Sequence, residues 1–118
     1  MAAQPGSAAS DEHDRRRTDR YGLVRLLLVA SFLLIGFFYA ACFAAVARFQ
    51  SAPLFADGRA DIQYFSFVTM ATLGYGDLVP AGEPARTLAV LDTLTGQIFL
   101  VTLVARLVSI FGMERGGR

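Results

Sequence analysis

Between Leu26 and Ala47 the sequence runs for 22 residues without a charged side chain. At a rise of about 1.5 Å per residue a helix of that length extends about 33 Å, which matches a hydrocarbon core of about 30 Å, so the run predicts a transmembrane helix. A chain of 118 residues, 54% hydrophobic and with a mean hydropathy of +0.46, is too apolar for an ordinary soluble domain of its size. Gly36, Ala40 and Ala44 recur every fourth residue of the span and leave one stripe small enough for another helix to approach closely. Cys42, the single cysteine, lies inside the run and reads as a packed thiol.

A second apolar run extends from Thr87 to Ala105, interrupted only by Asp92, and it too is long enough to span. All 11 cationic side chains are arginines, and their placement is uneven. Arg15, Arg16, Arg17, Arg20 and Arg25 precede the first span, and Arg106, Arg115 and Arg118 lie at or beyond the end of the second. Only Arg48, Arg59 and Arg86 fall between. By the positive-inside rule both termini face the cytoplasm and the connection faces outward. The asymmetry reads as topology, with no sign of a nucleic-acid partner. Residues 1–20 are rich in Ala, Ser, Gly, Asp and Arg and are expected to form a disordered tail. They do not resemble a cleaved signal peptide, because the following run exceeds an h-region and reaches Arg48 without a small-residue cleavage site. His13 reads as a solvated side chain of that tail.

Residues 50–60 form a polar loop containing Gly and Pro. From Ile62 to Ala71 the chain turns apolar and aromatic, over about half the length needed to span, and Asp61 is positioned as an N-cap. Ten helical residues descend about 15 Å, and five extended residues, Thr72 to Gly76, climb back about 16 Å. The segment therefore reads as re-entrant. Irregular backbone at membrane depth is tolerated only where it is buried in protein or lines water, so the returning strand implies a pore.

That strand lies in Thr69-Met70-Ala71-Thr72-Leu73-Gly74-Tyr75-Gly76-Asp77, which resembles the potassium-channel signature T-x-x-T-x-G-Y-G-D at every defined position. A selectivity filter replaces the hydration shell of an ion with backbone carbonyls that face one axis. Glycine at 74 and 76 adopts positive φ at little cost, so the two glycines allow successive carbonyls to line up. The resemblance implies K+ sites at Thr72, Leu73, Gly74 and Tyr75, with the Thr72 hydroxyl closing the innermost one, and a homotetramer around the axis. It also implies that Tyr64 reaches Asp77 to support the outer end of the filter, together with Thr69. Leu73 stands where Val or Ile is more usual. With no Trp in the chain, the aromatic cuff behind the filter falls to Tyr64, Phe65 and Tyr75.

Arg86 resembles the basic residue at the start of the inner helix, and Gly96 resembles the glycine at which that helix bends, close packing being the alternative reading. Gln97, Leu100, Val104 and Val108 fall at i, i+3, i+7 and i+11 on one helical face. Gln97 is polar, so this face is assigned to a water-filled cavity that Val104 and Val108 narrow into a hydrophobic gate. Asp92, near the outer end of the second span, is expected to face protein and to make a hydrogen bond behind the pore helix.

The reading is thus an all-α membrane protein with two transmembrane helices, a re-entrant pore helix and a filter loop, assembled as a homotetrameric pore. Residues 1–20 form a cytoplasmic tail. The pore domain spans 21–112, with outer helix 22–48, pore helix 61–71, filter 72–77 and inner helix 86–112, and 113–118 form a cytoplasmic end. The expected function is a K+-conducting channel subunit in the cell membrane, with membrane lipid and identical subunits as partners, K+ as the permeant ligand and no cofactor. The alternatives are a weakly selective cation channel, a component resembling potassium-uptake transporters, and a non-conducting subunit of mixed channels. No nucleophile elbow, phosphate-binding loop, HExxH sequence or Cys/His cluster points to an enzyme. No helix with Arg at every third position resembles a voltage sensor.

Overall fold

The computed structural model describes residues 5–115, and the extreme ends of both expected tails, 1–4 and 116–118, lie outside the described residues. Three helices follow one another: α1 (Pro5–Phe49), α2 (Ile62–Met70) and α3 (Glu83–Arg115). By length and composition α1 and α3 can each cross a membrane.

Residues 5–31 form one compact unit, the first part of α1. Residues 5–20 are helical here, in contrast to the disordered tail expected from their composition. The physical reason is that a helix already nucleated in the apolar run grows backwards at low cost through good helix formers such as Ala8, Ala9, Glu12 and Arg16. An i,i+4 bridge from Arg16 to Glu12 at 2.7 Å decorates this exposed stretch.

Residues 32–115 form the second unit, and its core lies where the connections meet the helices. Phe43, Leu54, Phe55, Phe65, Leu78 and Ala85 are buried together. The Phe65 ring of α2 packs edge-on against Phe43 of α1 at 5.1 Å and against Phe55 at 4.9 Å. The loop expected to be merely polar therefore contributes Leu54 and Phe55 to the core. Its backbone is fastened to the segment after the filter: Ala81 N donates to Leu54 O at 2.9 Å and Ala56 N to Val79 O at 3.3 Å.

Glycine lets α2 sit close to both long helices. A β-carbon at Gly36 of α1 would collide with the Phe67 ring, and one at Gly96 of α3 would collide with the Met70 carbonyl and side chain. The small stripe of α1 thus receives the short helix at Gly36. Asp61 holds the N-cap position of α2 without a side-chain cap, and its carbonyl accepts Phe65 N at 3.0 Å. α2 is shorter by one residue at each end than the expected 61–71. α3 starts three residues before the expected Arg86, because Pro84 is accommodated in a first helical turn and Gly82 O accepts Arg86 N at 3.0 Å.

Candidate functional site: the pore loop

The last turn of α2 passes its free carbonyls to the irregular segment that follows it. Phe67 O accepts Ala71 N, Thr69 O accepts Thr72 N, and Val68 O accepts Leu73 N, each at 3.0 Å, with Gly74 N also reaching Val68 O at 3.4 Å. The start of the segment 72–76 is thereby tethered to its own helix.

Beyond the tether the backbone alternates. Thr72, Gly74 and Gly76 have φ of +59°, +51° and +77°. The two glycines are the positions the sequence marks for this conformation. Thr72 is the third, and its residue type gives no warning, because a β-branched side chain in the left-handed region costs roughly 1–2 kcal/mol. Its only signal is position, two residues before Gly74 on the same alternation. Such strain concentrates at functional sites, where the surroundings enforce it.

Residues 72–77 are all exposed within one chain, with Leu73 58% and Tyr75 68% accessible. Tyr64, exposed on the third residue of α2, donates from its hydroxyl to Asp77 Oδ2 at 2.9 Å, across 13 residues of chain. That hydrogen bond, ahead of desolvation, raises the Tyr64 phenol above its ordinary 10.0. Arg86 Nε donates to Pro80 O at 3.2 Å, which fixes the segment that follows Asp77. Of the three aromatics expected behind the filter, Tyr64 holds Asp77, Phe65 belongs to the core and Tyr75 stands exposed. Thr69 lies half-buried at the end of α2.

On α3, Gln97, Leu100, Val104 and Val108 are exposed along one face. Gly96, grouped with them on the sequence as a cavity residue, is buried against Met70 instead. α3 continues through it without a break, and close packing accounts for the glycine.

Asp92 is fully buried. Ser66 Oγ of α2 lies 3.2 Å from its Oδ2 and donates to the Gly36 carbonyl of α1 at 3.0 Å. Elsewhere between the two long helices, the Tyr39 hydroxyl of α1 lies 2.7 Å from Thr95 Oγ1 of α3. Nothing in the sequence pointed to Ser66, because a serine on a short apolar helix carries no spacing signal.

A family model described as an ion channel matches residues 24–112, which include α2, the filter strand and nearly all of α3. The chain belongs to the ion channel family. Two-pore potassium channel 4 of Arabidopsis thaliana is 30% identical over 105 residues, 89% of this chain and 37% of the relative. Two pore potassium channel b of Oryza sativa subsp. japonica is 39% identical over 88 residues, 73% of this chain and 23% of the relative. Voltage-gated potassium channel Kch of Escherichia coli (strain K12) is 42% identical over 55 residues, 46% of this chain and 12% of the relative. The chain thus spans well under half the length of these relatives. The family is one of ion channels, not enzymes.

Proposed function

We propose that this chain is one subunit of a potassium-selective channel that conducts K+ passively through a filter completed by four copies. The observation that carries the reading is the strand 72–76, in which positive φ at Thr72, Gly74 and Gly76 alternates along an exposed backbone that one chain cannot enclose. Exposed irregular backbone between two spans needs partners around it or water beside it, and a central axis lined by four strands provides both. The relatives named as potassium channels support K+ as the permeant ion.

In this reading the carbonyls of Thr72, Leu73, Gly74 and Tyr75 replace the hydration shell, with the Thr72 hydroxyl at the inner end. Tyr64, Thr69 and Asp77 hold the filter. Gln97 and Leu100 line an aqueous cavity, and Val104 and Val108 narrow its mouth. The exposed apolar faces of α1 and α3 meet lipid or the next subunit. The arginine-rich ends support a cytoplasmic position for both termini, with the chain in the cell membrane.

Purified full-length protein reconstituted into lipid vesicles tests this. The expected result is a reversal potential that follows the K+ gradient when Na+ replaces K+, from a particle of four chains whose heat resistance rises with K+. A reversal potential indifferent to the exchange makes it a weakly selective cation channel. A monomer insensitive to K+ overturns the assembly.

A further inference from the structure

Asp92 is a carboxyl with 0% exposure on a helix that crosses the membrane, and the pore-loop chemistry does not use it. Its hydrogen-bond geometry fixes where the protons are. Ser66 Oγ is within reach of two oxygens, Gly36 O at 3.0 Å and Asp92 Oδ2 at 3.2 Å. A serine hydroxyl has one proton to give; a peptide carbonyl only accepts, and so does an ionised carboxylate. With Asp92 ionised, two acceptors would share one proton, and Oδ1, buried without a hydrogen-bond partner among the described residues, would be a desolvated anionic oxygen. The salt bridges among the described residues, Arg16 to Glu12 and Arg59 to Asp57, bring no cation to it. The groups that reach it or its serine from the packed elements are the Ser66 hydroxyl of α2 and the Gly36 carbonyl of α1, neither of which titrates.

A neutral acid removes both difficulties. The Asp92 Oδ2–H then donates to Ser66 Oγ, Ser66 donates to Gly36 O, and Oδ1 is left as an uncharged carbonyl oxygen, far cheaper to bury than an anionic one.

We propose that Asp92 is a positioning residue, held as a neutral carboxylic acid, and that the Asp92, Ser66, Gly36 relay locks the pore helix between α3 and α1 and thereby stabilises the K+-loaded filter. The path to the filter is short. Ser66 lies two residues before Val68, whose carbonyl holds Leu73 N and Gly74 N. A shift of α2 at Ser66 is therefore delivered to the strand that would bind the ions.

Infrared difference spectra of the full chain, purified in K+ at neutral pH, read the proton directly. Wild type minus Asp92→Asn should show the carbonyl stretch of a protonated carboxyl, and Ser66→Ala should move that band because the acceptor of its proton is gone. A wild-type spectrum without the band, or a band that Ser66→Ala leaves in place, overturns the relay. The second readout is the K+ concentration that half-protects the assembly from heat. It should stay close to wild type in Asp92→Asn, whose amide still donates to Ser66. It should rise about three- to tenfold in Asp92→Val and Ser66→Ala, the effect of one net hydrogen bond. An unchanged value in Ser66→Ala, with the band shifted, overturns the positioning role. If Asp92→Val does not assemble, Ser66→Ala and the wild-type band still decide. This second readout rests on the channel reading above, whereas the band does not. Wild type that carries the band but ignores K+ counts against the channel reading and leaves the relay standing.

Discussion

Tyr64 and Asp77, 13 positions apart, tie the start of α2 to the end of the segment 72–77: the phenol on the first turn of α2 donates at 2.9 Å to the carboxylate that follows Gly76. Residues 72–77 are held at their start by the carbonyls of α2 and at their end by this side-chain contact. Tyr64→Phe keeps the ring and removes the donor. Its expected effect is on persistence of the conducting state, with faster loss of current under steady K+ and a single-channel conductance close to wild type. Bilayer recordings of the two proteins make the comparison. Equal rates of current loss would mean that the contact has no mechanical role.

The same contact predicts a pH dependence. The Tyr64 phenol is raised from 10.0 by its bond to Asp77, so the protonated, donating form is favoured in the folded protein. The stabilisation is therefore fully present below the ordinary phenol range and is lost as pH rises through the raised value. Current loss measured from neutral to alkaline pH should accelerate above about pH 10 in wild type. Tyr64→Phe should lack that alkaline component.

Gly76 has a φ of +77° with open space around its missing β-carbon. Within one chain Gly76→Ala therefore meets no clash, and its cost there is conformational, roughly 1–2 kcal/mol. Membrane insertion and helix content should be retained. K+ over Na+ discrimination, read from reversal potentials, should fall. Thr72 already occupies this region at +59°, so Thr72→Gly should relax the backbone while removing the hydroxyl, and Thr72→Ser should keep the hydroxyl at a lower backbone cost than Thr72. Conduction in Thr72→Ser but not in Thr72→Gly would locate the need for threonine in its oxygen.

The sequence revealed the parts of this fold that are written as residue type at fixed spacing. Two apolar runs of membrane length with a half-length run between them leave few arrangements, and the glycines at 74 and 76 mark backbone that other residues avoid. The hidden parts depend on contacts distant in the chain or on a conformation that the residue type opposes. Leu54 and Phe55 sit in a stretch whose Gly, Pro and polar neighbours read as loop, and only the closeness of Phe65 and the segment after the filter makes them core. Thr72 is left-handed because the strand demands it, against its own preference. The helix before Tyr21 was missed because composition measures burial, whereas a helix continued from an existing one needs none.

The anchoring of that loop can be tested at Phe55, which is fully buried against Phe65 at 4.9 Å. Phe55→Ala should lower stability by about 3–5 kcal/mol, as is usual for deleting a buried aromatic ring. Because the loop is fastened to the segment after the filter through Leu54 O and Val79 O, the loss should appear as weaker protection of the assembled protein by K+ as well as a lower melting temperature. Phe49→Ala, at a side chain 91% exposed, is the control expected to leave melting of the single-chain fold nearly unchanged.

Gly96 separates two accounts of the inner helix, one in which the glycine is needed for bending and one in which it is needed for contact. α3 is helical through this point, and a β-carbon there would collide with the Met70 carbonyl at the end of α2. A collision with backbone cannot be relieved by a rotamer change, so Gly96→Ala must push the last turn of α2 away from α3. The expected penalty is that of an overpacked site, about 1–3 kcal/mol. Since that turn carries the carbonyls of Val68 and Thr69 that hold Leu73 and Thr72, the filter should be displaced with it. Met70→Ala removes the nearby Cγ but leaves the carbonyl, so it should not rescue Gly96→Ala. Thermal melting in K+ of Gly96→Ala, of Met70→Ala and of the double variant gives the answer: a Gly96→Ala penalty that persists in the Met70→Ala background, beyond the cost of emptying the buried Met70 site, supports contact with the backbone. Wild-type melting with altered opening alone would instead assign Gly96 to bending.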